Sequence, residues 1–211
     1  MKLLIPLPRY GRVVVSLNRA FHHYSLELGY THYANCTGVV SRFRNTRLQA
    51  IFADFDTGPS SQAERYESRT LDEIEEDLVQ GASHVPGLGS FFIFESSPNH
   101  FHAIDFSLHD LLTARRFLSG LNYIDYKYVS GLIRKGENTI RISEKSNGKK
   151  HRPIRFVRFL KREGDSLVHH NGLVQLYEKL HPEIQKYTQG LVRDDSTQDD
   201  LYILNYKTIV W

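Results

Sequence analysis

Apolar residues recur along this sequence with two different periods, and the order of the two kinds of segment restricts the folds open to the chain. Short runs of β-branched and aromatic residues predict strands at 12–17, 37–43 and 50–56. Thr70 and Glu73 form the sequence pattern of a capping box and predict the start of a helix. Several strands therefore precede the first helix, and a strict strand–helix alternation is absent from this part of the sequence.

The remaining segments keep this mixed order. Ser107 and Asp110 predict the capping box of a second helix. The buried stripe of this helix would be Leu108, Leu111, Leu112 and Leu118. Strands are predicted at SFFIFESSP and HFHAIDF, and a last strand at LYILNYKTIV. A short helix is predicted at 126–135, and one or two helices within about 166–190. TIRIS (139–143) and IRFVRFL (154–160) would form a basic two-stranded ribbon around the turn SNGKK. This order predicts an α+β domain with helices packed on a largely antiparallel sheet.

Length and composition favour one ordinary domain. The chain has 211 residues, which is enough for a single well-packed domain over 1–211. Its single cysteine, Cys36, excludes an internal disulfide framework and a multi-cysteine zinc site. No apolar run reaches the roughly 18–20 residues of a membrane span, and the N-terminal apolar run is too short for a signal peptide. The expected location is the cytoplasm, with no membrane partner.

Charge is segregated along the chain, although the formal net charge is only +3. Residues 134–162 are strongly basic, whereas 64–77 are strongly acidic. Such segregation predicts one positive region on the folded protein, which could attract phosphates. The alternative is a solvated basic hairpin without a ligand.

Two acids interrupt the apolar run AIFADFDTG. Asp54 and Asp56 are two positions apart, so in a strand their side chains point to the same face, roughly 6–7 Å from each other. Like charges at this separation repel, and burial would require protonation, a cation or a metal ion. An exposed strand edge or a surface salt bridge is the simpler explanation of this pair taken alone.

Two further stretches, ESSPNHFHAID and YIDYKYVSGLIRKGENTIRISEK, complete a pattern that the acids begin. Together the three resemble the motifs of the archaeo-eukaryotic primase superfamily, and within it the small viral or plasmid primase-polymerases. FADFD matches the acidic strand motif, and SSPNHFH matches the histidine motif with His102 as its histidine. IDYKY and its basic tail match the third motif with Asp125 as its acid. His100 departs from the pattern, which more often has Ser or Gly there. The choice of Asp125 over Asp105 rests on the basic tail.

The resemblance implies a fold and a set of roles. The fold would be a two-layer, RNA-recognition-motif-like sheet with packed helices, with a core at about 37–160 and a C-terminal extension at about 165–211. The activity would be template-directed nucleotidyl transfer in replication of a virus, plasmid or similar element. The implied residues are Asp54, Asp56 and Asp125 for catalysis and for two Mg²⁺ or Mn²⁺ ions, Ser97, His100, His102, Arg141 and Lys145 for the nucleotide, and Lys149, Lys150 and Arg152 for the template. Implied partners are single-stranded DNA template and primer, nucleoside triphosphates and a separate helicase.

Two other functions fit parts of the same sequence. His100-Phe101-His102 is also the histidine pair of an HUH rolling-circle endonuclease, in which Tyr123 would be the nucleophile and Lys127 its helical neighbour. A non-catalytic nucleic-acid-binding module would use the same sheet and basic ribbon without needing acids on the binding face.

Overall fold

The computed structural model describes residues 11–19, 22–30, 33–43, 48–56, 70–97, 100–143, 154–162 and 167–209. Within them lie strands β1 (Gly11–Arg19), β2 (His22–Tyr30), β3 (Tyr33–Val40), β4 (Gln49–Asp56), β5 (Phe91–Ser97), β6 (His100–His109), β7 (Thr139–Arg141), β8 (Arg155–Leu160), β9 (Val168–His170), β10 (Val192–Asp194) and β11 (Ile203–Ile209). The α-helices are α1 (Leu71–Ser83), α2 (Leu111–Gly120), α3 (Tyr126–Lys135), α4 (Asn171–Leu180) and α5 (Gln185–Thr188). The α+β class predicted from the sequence is confirmed.

The central sheet is built around β6. Strand β6 pairs antiparallel with β5 on one side and with β4 on the other, and β5 pairs antiparallel with β8. At Ser107, β6 also meets β9, which pairs in parallel with β10. Because β6 is antiparallel to both β4 and β5, those two strands are parallel, and α1 crosses between them. The unit β4-α1-β5-β6 is therefore a split β-α-β arrangement.

Buried apolar side chains cover both faces of this sheet. On one face, Ile51, Ile93 and Ala103 pack with residues of α1, α2 and α3. On the other face, Phe52, Phe92 and other rings pack with α4 and with β3. The predicted two layers are corrected by this finding, since helices lie on both sides of the strands.

The first two helices begin with capping side chains. Thr70 and Glu73 form the predicted capping box of α1. The predicted box of α2 is wrong, because Asp110 is the N-cap and Ser107 belongs to β6. Strand β6 continues to His109, whose ring reaches the carboxylate of Asp105 on the same strand face. Leu108 is consequently a strand residue, and Leu112 is exposed on α2, whose buried residues are Ala114, Phe117 and Leu118.

The predicted basic ribbon does not form. Strand β7 pairs with β3, which also pairs with the C-terminal strand β11, whereas β8 pairs with β5 at the edge of the central sheet. The two basic strands thus belong to different sheets, and the predicted turn SNGKK lies outside the described residues. The short helix predicted at 126–135 is confirmed as α3, and the strand predicted at the C-terminus is confirmed as β11. No helix in the described residues is long and apolar enough to cross a membrane.

Candidate active site

The register of β4 against β6 brings the acid motif and the histidine motif together. Asp54 lies directly opposite His102, and Asp56 lies opposite His100. Directly opposed residues of antiparallel strands share a face of the sheet. The Oδ1 atom of Asp54 is 3.6 Å from Nε2 of His102. The His102 side chain is 6% exposed and that of Asp54 is 32% exposed, so the carboxylate is accessible from solvent and the ring is not.

The third acid, Asp125, reaches the same strand through its backbone. Its N–H donates a 2.9 Å hydrogen bond to the carbonyl oxygen of Asp54. Its own carbonyl accepts the N–H groups of Tyr128 and Val129, so Asp125 begins α3. The main chain of the third motif is therefore attached to the residue that carries the first acid.

Asp105, the other candidate for the third acid, points to the opposite face. It lies opposite Ile51 and Phe91, which pack under α1 and α2, whereas His102 lies opposite Phe94 of the other cluster. The Asp105 carboxylate is fully buried and accepts from the N–H groups of Gly89 at 2.7 Å and Ser107 at 2.8 Å. A third bond joins it to Nε2 of His109 at 2.8 Å.

These contacts determine the ionisation of Asp105. Burial acts to raise its pKa, but the hydrogen bond and charge of His109 and the hydrogen bonds from Ser107 outweigh burial and lower the pKa below its ordinary value. An ionised carboxylate whose oxygens are engaged in the interior has a structural role. The geometry thus separates Asp105 from Asp54 and leaves Asp125 as the acid that adjoins β4.

Arg141 connects the end of β7 to the end of β5. Its guanidinium is largely buried and donates to the carbonyl oxygens of Ser96 and Ser143, both at 2.8 Å. The Ser96 hydroxyl in turn donates to the carbonyl oxygen of His100, at 3.4 Å. The predicted phosphate ligand is therefore placed beside the turn of the histidine motif, where it holds the backbone.

The other predicted site residues fall partly or wholly outside the described part of the chain. Backbone pairing places Asp56 and Ser97 on either side of His100, and their side chains lie outside the described residues. Four predicted cations lie there entirely, namely Lys145, Lys149, Lys150 and Arg152.

The cations of β8 face acids of the same protein. Arg158 binds Asp72 at 2.9 Å and also Glu75, both on α1, and these contacts raise the pKa of Arg158. Arg155 binds Glu95 on β5. Among the described residues, the acidic and basic segments therefore partly neutralise each other at Arg158, and the cations at 144–153 lie outside the described part of the chain. Phe156 and Phe159, on the same strand, pack against Phe92 and are partly buried beside the apolar cluster that contains it.

Tyr123, the nucleophile of the HUH alternative, lies on the other side of the sheet from the histidine pair. Its ring packs against the apolar cluster of Ile51 and Ile93 under the helices. His102 shares its face with Phe94 and Asp54 instead. This arrangement separates the tyrosine from the histidines by the thickness of the strand layer.

Sequence reasoning missed a buried acid on α1. Asp77 is 2% exposed, and its carboxylate accepts hydrogen bonds from the loop that leads to Asp125. The signal was available, because Asp77 follows Ile74 by three residues and precedes Gly81 by four, on the buried face of the helix. An acid at such a position needs hydrogen-bonding partners inside the protein.

The donor chemistry of the acids suits hard divalent cations, which take oxygen ligands. Among the described side chains, no group of three or more His, Cys, Asp or Glu residues is arranged to hold a metal ion. The side chain of Asp56, one of the three implied ligands, is outside that set. Comparison with protein-family models, curated proteins and solved structures gives no significant match to this chain.

Proposed function

We propose that this protein is a nucleotidyltransferase of the primase-polymerase type, which joins nucleotides on a single-stranded DNA template. The substrates would be nucleoside triphosphates and a primer or template strand. The reaction attaches the α-phosphorus of the incoming nucleotide to a hydroxyl oxygen and releases pyrophosphate.

One observation carries the proposal: residues of all three motifs meet at the same end of the central sheet. Asp54 contacts His102, and the backbone of Asp125 is bonded to the backbone of Asp54. The three positions are far apart in the sequence, and a chance match to short motifs would not require them to be neighbours. Arg141 adds a third connection, to the carbonyl oxygen of Ser96.

The strand order supports the same proposal. The unit β4-α1-β5-β6, with β6 between β4 and β5, is a split β-α-β arrangement. It matches the first part of the β-α-β-β-α-β pattern of RNA-recognition-motif-like sheets. The acid motif stands at the end of the first strand of this unit, and the histidine motif opens the last strand. An RRM-like primase core would have its acids and its histidine on such neighbouring strands.

Each residue would contribute a distinct interaction. Asp54, Asp56 and Asp125 would hold the divalent ions, which when bound activate the attacking hydroxyl and neutralise charge on the triphosphate. His100 and Ser97 would contact the phosphates, and Lys145 would add a cation. His102, whose ring is buried beside Asp54, would orient that carboxylate. Arg141 would fix the turn that presents these groups. The template would lie along Lys149, Lys150 and Arg152.

The HUH alternative is less well supported by the geometry. Covalent attack needs the tyrosine hydroxyl and the histidine-bound ion at the same phosphodiester. The Tyr123 ring instead packs on the face opposite to His102, and the acid strand would have no role in that chemistry.

The test is a template-directed incorporation assay. The protein is incubated with primed and unprimed single-stranded DNA, Mn²⁺ or Mg²⁺, and labelled ribo- or deoxyribonucleoside triphosphates. We expect products that are complementary to the template and that disappear when a chelator removes the metal. No incorporation with either ion and either class of triphosphate would overturn the proposal.

A further inference from the structure

Asp77 is a buried carboxylate whose surroundings are otherwise apolar. It lies on the inner face of α1 between Ile74 and Leu78, both fully buried. Carboxylates are almost never fully buried unless their oxygens are engaged. The partners of this carboxylate therefore indicate what it does.

Those partners are the amides of a single loop between α2 and α3. Oδ1 accepts from the backbone N–H of Asn122 at 3.0 Å and from its side-chain Nδ2 at 2.8 Å. Oδ2 accepts from the N–H groups of Asn122 at 2.9 Å and Tyr123 at 3.0 Å. Both carboxylate oxygens are thus engaged by donors of two consecutive loop residues, so this loop is tied firmly to α1.

The same loop delivers the third acid to β4. Two residues after Tyr123, the N–H of Asp125 binds the carbonyl oxygen of Asp54, and α3 begins there. The loop is thus fixed at two points, by Asp77 at its start and by the Asp54 backbone at its end. With the first point released, the loop would lose one of these two attachments ahead of Asp125.

We infer that Asp77 is a positioning residue that sets the location of Asp125 relative to Asp54. It touches neither substrate nor metal, and it acts through the Asn122-Tyr123 backbone. The consequence for catalysis rests on the proposed function, whereas the consequence for the loop is a property of the fold alone. The two can be tested separately.

The first test follows amide hydrogen exchange in the full-length protein. In Asp77→Asn, one carboxylate oxygen becomes an NH₂ group that faces backbone donors, so the loop loses one of its two acceptor atoms. We expect exchange at Asn122, Tyr123 and Asp125 to accelerate at least about tenfold, while amides of the β5–β6 pairing keep their rates. Asn122→Ala removes only the side-chain bond and should give a smaller change in the same direction. Unchanged exchange at Asp125 in both variants would overturn the inference, whatever the protein catalyses.

The second test measures the metal dependence of incorporation. Asp77→Asn should need a several-fold higher Mn²⁺ concentration for half-maximal rate, because the carboxylates would no longer be preorganised. Asp105→Asn is the matched control: it also alters a buried carboxylate but has no contact with the loop, so its metal dependence should equal that of the parent. Equal shifts in both variants would assign Asp77 a purely structural role. An inactive parent would contradict the proposed function and leave the exchange test as the measure of Asp77.

Discussion

Two carboxylate–histidine pairs have their histidine on strand β6 but differ in their surroundings. Asp105 and His109 are 2.8 Å apart on the face covered by α1, α2 and α3, and both are buried. His102 and its partner Asp54 from β4 are 3.6 Å apart on the other face, at the strand ends, with Asp54 partly exposed. The first pair is enclosed by backbone donors, and the second is open to a ligand.

The difference lies in what surrounds each carboxylate. The close approach of Gly89 brings its N–H onto Asp105, and a side chain there would collide with the Asp105 oxygens. Such an acid stabilises the fold and cannot bind a substrate without unfolding its neighbourhood. Asp54 stands near the end of β4, beside the start of β6 and of α3, and its side chain is partly exposed to solvent.

The largest expected effect is on catalysis by the open pair. Changing Asp54 or Asp56 to Asn should reduce nucleotide incorporation by at least about 10²–10³-fold, the scale for losing one preorganised electrostatic group. The free energy of unfolding should change little for Asp54→Asn, because its side chain is partly exposed. Asp72→Asn, an exposed acid on α1, is the control and should retain activity. Full incorporation by Asp54→Asn at saturating metal would show that the Asp54 carboxylate has no role in catalysis.

A second pair of variants separates the two enzyme classes. Asp125→Asn should abolish synthesis, whereas Tyr123→Phe, which loses one hydroxyl, should be nearly silent. Both variants and the parent are given single-stranded DNA and metal, with and without triphosphates. Extended primers and DNA that migrates with denatured protein are then measured. A covalent adduct that forms in the parent and disappears in Tyr123→Phe would establish the HUH chemistry instead.

The enclosed pair should show its effect in stability. Asp105→Asn should lower the free energy of unfolding by about 2–4 kcal/mol, because two backbone donors and His109 lose an ionised acceptor. The folded-state pKa of Asp105 is lowered, so its contribution is present above the ordinary value of 3.8 and is lost as pH falls through the folded pKa. Urea titrations from pH 7 to pH 2 should therefore show a shallower acid-side decline in the variant. Identical pH profiles would contradict the assigned ionisation.

The smallest effects concern the cations. Neutralising Lys149, Lys150 and Arg152 together should weaken template binding and reduce its salt dependence by roughly 0.7 of a counterion for each phosphate that is no longer bound. Arg158→Ala should leave both unchanged, because Arg158 faces Asp72 and Glu75. Fluorescence anisotropy at several salt concentrations measures both quantities. Equal template affinity and equal salt dependence of the triple variant and the parent would show that these cations are solvated and do not bind the template.

Local signals predicted much of the fold. Thr70 with Glu73 predicted the start of α1, and the apolar runs around Asp54 and His102 predicted β4 and the first part of β6. These features are determined by residues a few positions apart. The predicted boundary between β6 and α2 was wrong, because Leu108 and Leu112 fit a helical stripe as well as a strand. Strand β6 instead continues to His109, whose buried ring is bonded to Asp105.

Long-range pairing was the part that sequence patterns could not supply. The alternation of TIRIS and IRFVRFL indicates two strands but not their partners, and a nearby turn favoured pairing them with each other. Their real partners are β3 and β5. In the site, the role of Arg141 as a bridge between two carbonyl groups depends on that unforeseen pairing.

The position of β6 between β4 and β5 also has a kinetic consequence. Helix α1 and the whole of β5 lie in the sequence between Asp54 and His102, so their pairing must close a long loop before it gains any favourable energy. A chain still being synthesised, and ending before His100, contains Asp54 but has no strand to place opposite it. The Asp54–His102 contact therefore requires β6, and it cannot form in a fragment that ends before His100.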